Sequence, residues 1–477
     1  MYDRHLRHRT SPQDLTVLGE TSYRNARVRF GLREPDRLRH VYLLGKTGTG
    51  KSTTLETQIA QDLARGSGVA VLDPHGELVE RVLKLVPRHR TDDVFLIEAP
   101  RETAPALNVF RAGRRLHADP GRFASEFIAA VRRVWADSWG PRLEHLLRAG
   151  TLAVAVHPRA SLPLLYRFFT DEPLRQRVAA GSRDPFVRAF WLREWPAYPR
   201  SFQTEALSPV LNKLGALLSA GPLQLMLSSE RSRFDAGALL SGRGILLANL
   251  SVGQFGEDGS ALLGSLILSL IQLAAFRRAP GSEPFYLYID EYHRFATETT
   301  GILLAEGRKY GIGLVVAHQF LGQLPDEIRA GVLGNVGTKL IFRVGAEDAN
   351  ALAPEFEPAF GAPELQGLGA YQCAAKVLVS GLELAPFSAR TVLPTAPANP
   401  ASPEAIRRSS ALRHEVPAGA LRQHLSSAFG PGPLHAIRRE VDRAKRPPPR
   451  RSNAPRSRPS GGRASESKGK LPTPVTP

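Results

Sequence analysis

The 477 residues carry a formal net charge of +18, are 42% hydrophobic and 23% charged, and include a single cysteine, Cys373. That balance excludes a chain disordered throughout and a fibrous one, and the lone cysteine excludes an intramolecular disulfide framework or a multi-cysteine metal site. The length exceeds what one core normally holds, so a large domain, a smaller inserted or appended one and some unstructured length are expected.

Residues 1–40 are Arg-rich and contain alternating stretches such as NARVRF that fit an antiparallel edge. HVYLLG then reads as a short strand, GKTGTGKS as a loop, and STTLETQIAQDLARG as a helix with Leu55, Ile59 and Leu63 on one face, closed by Gly66. GVAVLD and DDVFLIEA are continuous apolar runs of strand length. Between about 113 and 243 the period becomes helical, in segments such as FASEFIAAVRRVW and ALSPVLNKLGALLSA, and Trp135, Trp139, Trp191 and Trp195 all fall there, as expected of a small helical core of its own. The α/β pattern resumes with GILLANLSV, PFYLYIDEY, GLVVAHQ and TKLIFRV, and a last strand, YQCAAKVLV, is expected to close the domain before PFSARTVLP leads out.

The sequence thus predicts an α/β fold: a RecA-like P-loop NTPase domain with a mostly parallel sheet, formed by residues 41–112 and 243–394, with an all-α domain inserted at 113–242. A strand-containing segment at 1–40 precedes it, and a Pro/Arg/Ser-rich tail, 395–477, is expected to be largely disordered apart from one amphipathic helix near 418–429. That tail concentrates the charge, with 16 Lys and Arg against 5 Asp and Glu between 401 and 477, which leaves +7 of the +18 for the first 400 residues. Basicity is compatible with nucleic acid as a partner, although a solvated basic tail is the commoner explanation. No apolar stretch follows the basic start MYDRHLRHRT to make a secretory signal. The apolar run Ala261–Phe276 includes Ser265, Ser269 and Gln272 and falls short of the roughly 20 residues that span a bilayer. A buried helix and a cytoplasmic location are expected.

GKTGTGKS, Gly45–Ser52, fits G-x-x-x-x-G-K-[ST], and it stands where that motif requires, after an apolar strand and before a helix. The glycines Gly45, Gly48 and Gly50, with Lys46, Thr47 and Thr49 between them, let backbone N–H groups turn inward around a β-phosphate. Lys51 is expected to reach the β- and γ-phosphates of ATP, Ser52 to ligate Mg²⁺, and Thr53 to belong to the nucleotide-binding set. FYLYIDE carries Asp290 and Glu291 to the carboxyl end of another strand, where Asp290 is the expected metal-side carboxylate and Glu291 the general base. Gln319 ends GLVVAHQ and is placed to sense the γ-phosphate or orient the water, with an ordinary strand-end amide as the rival reading. For Arg308, in LLAEGRKYG, an arginine finger and a solvated charge stand level on the residues alone. His75 and His293 have no second His, Cys or acid at ligand spacing and read as turn or surface residues.

With these residues placed, the chain resembles the HerA/FtsK superfamily of hexameric DNA-pumping ATPases, and within it the TraG-like conjugative coupling proteins of type IV secretion. The ordered set RHVYLLGKTGTGKST, VAVLDPHGELVERVL, FYLYIDEYHRF, LLAEGRKYGIGLVVAHQFLGQL and NVGTKLIFRVGAEDANALA carries the resemblance, from about 38 to 394. It implies Gln319 as a nucleotide sensor and Arg308 as a residue acting across a subunit boundary, with Arg343 a second candidate for that role. It further implies a homo-hexameric ring, DNA as substrate, and a relaxase or secretion-channel partner. Coupling proteins typically begin with membrane-spanning helices, which this sequence lacks, so work in solution or recruitment to the inner face of the membrane by a partner is expected. A double-strand DNA motor in repair or segregation, or a nucleotide-switched recruitment protein without translocation, are the alternative readings.

Overall fold

The computed structural model describes residues 15–22, 27–111, 119–219, 221–241 and 243–429. Five strands precede the helical block in the main sheet: β1 (Thr16–Thr21), β2 (Arg29–Leu32), β3 (Val41–Leu44), β4 (Gly68–Asp73) and β5 (Val94–Ile97). A short β6 (Thr103–Pro105) leads out of it. After the block come β7 (Ile245–Asn249), β8 (Phe285–Ile289), β9 (Ile312–His318), β10 (Thr338–Ile341) and β11 (Gln372–Lys376). The small pair β12 (Leu378–Val379) and β13 (Leu382–Glu383), then β14 (Phe387–Arg390) and β15 (Glu415–Pro417), complete the strands.

Eleven of these strands form one sheet in the order β2-β1-β14-β11-β10-β3-β9-β8-β4-β7-β5. The seven from β10 to β5 run parallel. The pairs β10–β11, β11–β14, β14–β1 and β1–β2 are antiparallel. Parallel strands buried on both faces need apolar residues at every position, which is why VYLL, GVAVLD and FYLYI are continuous rather than alternating runs. Alternate side chains still go to opposite faces. Val41 and Leu43 join Leu55, Ile59 and Leu63 of the helix Lys51–Arg65 on one side, whereas Tyr42 and Leu44 join the core on the other.

That second face is covered by the helix Val252–Ala275 and, beyond it, by helices that run from Pro120 to Ser241 with no strand among the described residues between β6 and β7. Phe127, Trp191, Ile267 and Ile289 belong to one continuous buried cluster, so the helical block and the sheet share a core. Trp191 and Trp195 are fully buried within it, which fits the packing reading of the tryptophans. Val252–Ala275 is long and apolar enough in length and composition to cross a membrane, but 89% of its apolar window is buried inside the fold.

Three expectations need correction, the first being the separate helical core, which is instead continuous with that of the sheet. PFSARTVLP does not simply lead out: Phe387–Arg390 turns back as β14, between β11 and β1. Only Ala389 of its four side chains is fully buried, so little in the local pattern marks it as a strand. The segment 395–429 is also more ordered than its composition implies. Pro403–His414 is a helix whose N-cap Ser402 accepts from the Ala405 N–H at 3.1 Å. It covers the open edge of β5, where the Ser410 hydroxyl accepts from the Leu96 N–H at 2.9 Å and Arg407 bridges Glu98 and Glu80. The expected amphipathic helix follows as Ala418–Phe429. Residues 430–477, the most basic part of the tail, lie outside the described residues.

Candidate active site

Parallel strands deliver their last residues to one edge of the sheet, and here four of them bring together what the sequence scattered. Leu44 of β3 is in register with His318 of β9, Ile289 of β8 with Val316 of β9, and Leu72 of β4 with Ile289 of β8. The phosphate loop, Gln319, the Asp290–Glu291 pair and Asp73 therefore emerge side by side. They line a cleft of about 710 Å³ together with Gly48, Gly50, Thr47, Ser52 and Thr53.

The loop needs its glycines for two different reasons. At Gly45 (φ 155°) a Cβ would lie 2.5 Å from the Cβ of Phe342, so close packing on the strand-end loop excludes any side chain. At Gly48 (φ 75°) there is open space, and only the left-handed backbone demands glycine. The loop is fastened to its neighbours by the Lys46 N–H, which donates to the Arg343 carbonyl at 2.9 Å. Lys46 and Thr49 serve its shape, the Thr49 hydroxyl donating to the Lys46 carbonyl at 2.7 Å. Lys51, the first residue of the helix Lys51–Arg65, folds its ammonium over the loop and donates to the carbonyls of Gly45 and Lys46. Burial lowers its pKa, against the pull of Glu291 and Asp290.

Asp290 is buried beside two other acids. Desolvation, then the charges of Glu291 and Asp73, raise its pKa to about 6, and Lys51 and the Glu291 N–H only partly oppose this. Glu291 takes a left-handed conformation (φ 45°), a strained choice for a side chain this size, and that turn aims its carboxylate into the cleft. Its Oε1 accepts from Gln319 Nε2 at 2.8 Å. Among the described residues no group of three or more His, Cys, Asp or Glu is arranged as a metal-ligand set. A divalent ion here would be held by the Ser52 hydroxyl and Asp290, largely through water, which is how Mg²⁺ commonly binds. The crowding of Asp290 against Glu291 and Asp73 supplies the negative charge such an ion requires.

A stability consequence follows from Asp290. A carboxyl group whose pKa is raised on folding favours the folded state at low pH, and that contribution is lost as pH rises from about 4 through about 6. Asp290→Asn, which cannot ionise, is expected to be more stable than the parent chain at pH 8 by on the order of 2 kcal/mol, with the gap closing toward pH 4. Chemical denaturation at the two pH values, without nucleotide or Mg²⁺, measures it.

Several neighbours of the site escaped the sequence reading. Asp73 ends an apolar strand just as Asp290 does, a signal that was present in VAVLD; its carboxylate accepts from the backbone of His75 and Val79 at 2.8 and 3.1 Å. His75 is exposed on the cleft wall, as a turn residue would be, but His293 is not a surface residue: its Nδ1 lies 3.4 Å from Glu291 Oε2, with its side chain 19% exposed. Tyr371 (φ 61°) donates its N–H to the Thr49 carbonyl at 2.8 Å and shows a half-exposed ring to the cleft. Nothing in YQCAAK marked it.

Arg308 stands apart from all of these. It lies in the turn Gly307–Tyr310 before β9, exposed and without an ion-pair partner among the described residues. Gln319 lies just beyond the other end of that strand, whose seven residues span about 23 Å. Arg343 is also exposed, but at the cleft end, where its carbonyl holds Lys46.

A glycine-lined phosphate loop after a central parallel strand, with an acid pair and a polar strand-end residue on its neighbours, defines a P-loop NTPase of RecA-like fold. Residues 17–148 match the family model "Helicase HerA, central domain" (DUF87). The plasmid coupling protein TrwB in complex with the GTP analogue GDPNP superposes with a TM-score of 0.59 at 15% identity, over 81% of this chain and 91% of that one. TrwB in complex with ADP and Mg²⁺ gives 0.57 at 15% identity, over 83% and 92%. An unbound form of the bacterial conjugative coupling protein TrwBΔN70 gives 0.58 at 14% identity, over 83% and 91%. No curated protein matches the chain by sequence. Residues 17–148 are thus similar to a HerA central domain, and the chain shares its fold with a conjugative coupling protein.

Proposed function

We propose that this chain is an ATP-driven DNA translocase that works as a ring, resembling conjugative DNA-transfer coupling proteins. In this reading ATP lies in the cleft with its phosphates on Gly45–Thr53, and Lys51 leaves its loop carbonyls for the β- and γ-phosphates. Ser52 and Asp290 would hold Mg²⁺, which would supply positive charge against the phosphate oxygens. Glu291 takes the proton of the attacking water, and Gln319, already bonded to Glu291, meets the γ-phosphate and fixes that water. The single observation that carries the reading is the Gln319–Glu291 hydrogen bond at 2.8 Å, which joins base and sensor on the wall facing Lys51.

Arg308 supports the ring. One strand length from its own cleft, it can meet a γ-phosphate only in another copy of the chain, and a head-to-tail arrangement that uses one residue of each neighbour closes into a ring. Arg308→Ala and Glu291→Gln are each expected to be nearly inactive alone. Mixed in equal amounts and reassembled, they should recover about a quarter of wild-type sites, because each interface then has one chance in four of an intact base facing an intact arginine. No recovery in steady-state ATPase assays of the mixture would remove Arg308 from the neighbour's site.

DNA as substrate is tested with the full chain by measuring ATPase activity with single-stranded, double-stranded and no DNA, and by displacement of streptavidin from biotinylated DNA. Stimulation with displacement is the expected outcome. Hydrolysis without either would favour a nucleotide-switched recruitment protein.

A further inference from the structure

The two oxygens of Glu291 have different surroundings. Oε1 is held by Gln319, whereas Oε2 faces His293 Nδ1 at 3.4 Å without forming a hydrogen bond, and neither of these two buried atoms has a hydrogen-bond partner among the described residues. Whether this is a repulsive or a donating contact depends on which ring nitrogen of His293 carries the proton, and Gln323 decides that. Its Oε1 accepts the backbone N–H of Gln319 at 2.9 Å and of Phe320 at 3.1 Å, so the amide cannot be turned round. Its Nε2, which can only donate, therefore points at His293 Nε2, 3.4 Å away. A ring nitrogen that meets a donor presents its lone pair, and the neutral imidazole then carries its proton on Nδ1, the nitrogen beside Glu291, where a small side-chain shift completes a hydrogen bond to Oε2. The main chain is fixed from the other side, where Arg133 of the helix Pro120–Val134 donates to the His293 carbonyl at 2.6 Å.

We propose that His293 is a positioning residue for ATP hydrolysis, whose Nδ1–H, set by Gln323, holds one oxygen of Glu291 while Gln319 holds the other. The two donors fix the plane of the carboxylate, and of its roughly four lone-pair sites they leave two to meet the attacking water. When Gln319 turns to the γ-phosphate, His293 remains to keep Glu291 in place. The inference rests on the reading of Glu291 as the base. It also gives the helical block a direct connection to the chemistry, since Arg133 belongs to that block.

The test uses the full chain, with steady-state ATP hydrolysis and, separately, binding of a fluorescent non-hydrolysable ATP analogue. His293→Leu is expected to lower kcat about 10- to 100-fold, the range common for residues that orient a reacting group from behind. KM and analogue affinity should stay within about threefold, because binding is not what is lost. His293→Asn, whose amide N–H falls near the position of Nδ1, should restore most of kcat, whereas His293→Gln, which places its amide near Nε2, should not. In a Glu291→Gln background His293→Leu should change nothing further, since the group it positions has gone. An unchanged kcat in His293→Leu overturns the role. Equal rates for the Asn and Gln variants do the same, and that pair remains decisive if the Leu variant does not fold. A wild-type chain that binds the analogue but never hydrolyses ATP overturns instead the assignment of the base itself.

Discussion

Glu291→Gln is expected to bind ATP as tightly as the parent chain and to hydrolyse it about 10³-fold more slowly, the middle of the range that general-base catalysis supplies. The substitution keeps the volume and the Gln319 contact, because the new side-chain oxygen can still accept from Gln319 Nε2, so the turn at Glu291 should persist. What it removes is the proton acceptor. Binding should be preserved because the phosphates meet the loop and Lys51 rather than Glu291. Lys51→Ala is the complement: it takes away the ammonium folded over the loop carbonyls, so affinity should fall along with rate. Parallel measurement of analogue affinity and single-turnover rate separates the two. Near-parent turnover by Glu291→Gln would remove Glu291 as base.

Asp62→Ala is expected to destabilise the fold by about 3–5 kcal/mol. Asp62 sits on the helix Lys51–Arg65 at the end remote from the phosphates, where its two oxygens take Arg37 Nη1 at 2.6 Å and Nη2 at 2.8 Å, fully buried. Tyr288 of β8 lies 2.9 Å from Nη2, and the guanidinium stacks 3.6 Å over the ring of Tyr286. Burial alone would lower the pKa of Arg37, but Asp62 and the tyrosines outweigh it, so the group stays charged. Removing Asp62 leaves a buried cation that can neither ionise away nor reach water. The pair itself need not be stabilising, because both ions were desolvated to make it. Arg37→Met with Asp62→Leu is therefore expected to recover most of the loss, a cycle that urea denaturation can read. A single Asp62→Ala variant as stable as the parent chain would mean that water reaches Arg37.

The sequence was strong where chemistry and local pattern coincide. Strand, phosphate loop and helix from Val41 to Arg65 are legible because apolar run, glycine spacing and helical period all agree. Asp290 was legible because an acid ends a buried run, and the same logic applied to Asp73 would have found it. His293 was misread for a physical reason: a histidine is judged by its neighbours at ligand spacing, whereas the proton position of this one is set by Gln323, thirty residues away on another strand's loop. Tyr371 and β14 left no local mark at all, since both are fixed by pairing with segments distant in the chain.

The sequence by itself determined that this is an α/β P-loop protein and singled out residues suited to phosphate, metal and base chemistry. Those readings reside in side-chain identity and short-range spacing. The tertiary structure decided what those residues face. Strand order placed Glu291 against Gln319 and His293 against Gln323, gathered three acids around the loop, and set Arg308 a strand length away. It also laid the helix Pro403–His414 on the sheet edge, against a composition that reads as disorder. Register and crossover connections are long-range choices, made by the burial of whole faces, and no window of sequence contains them.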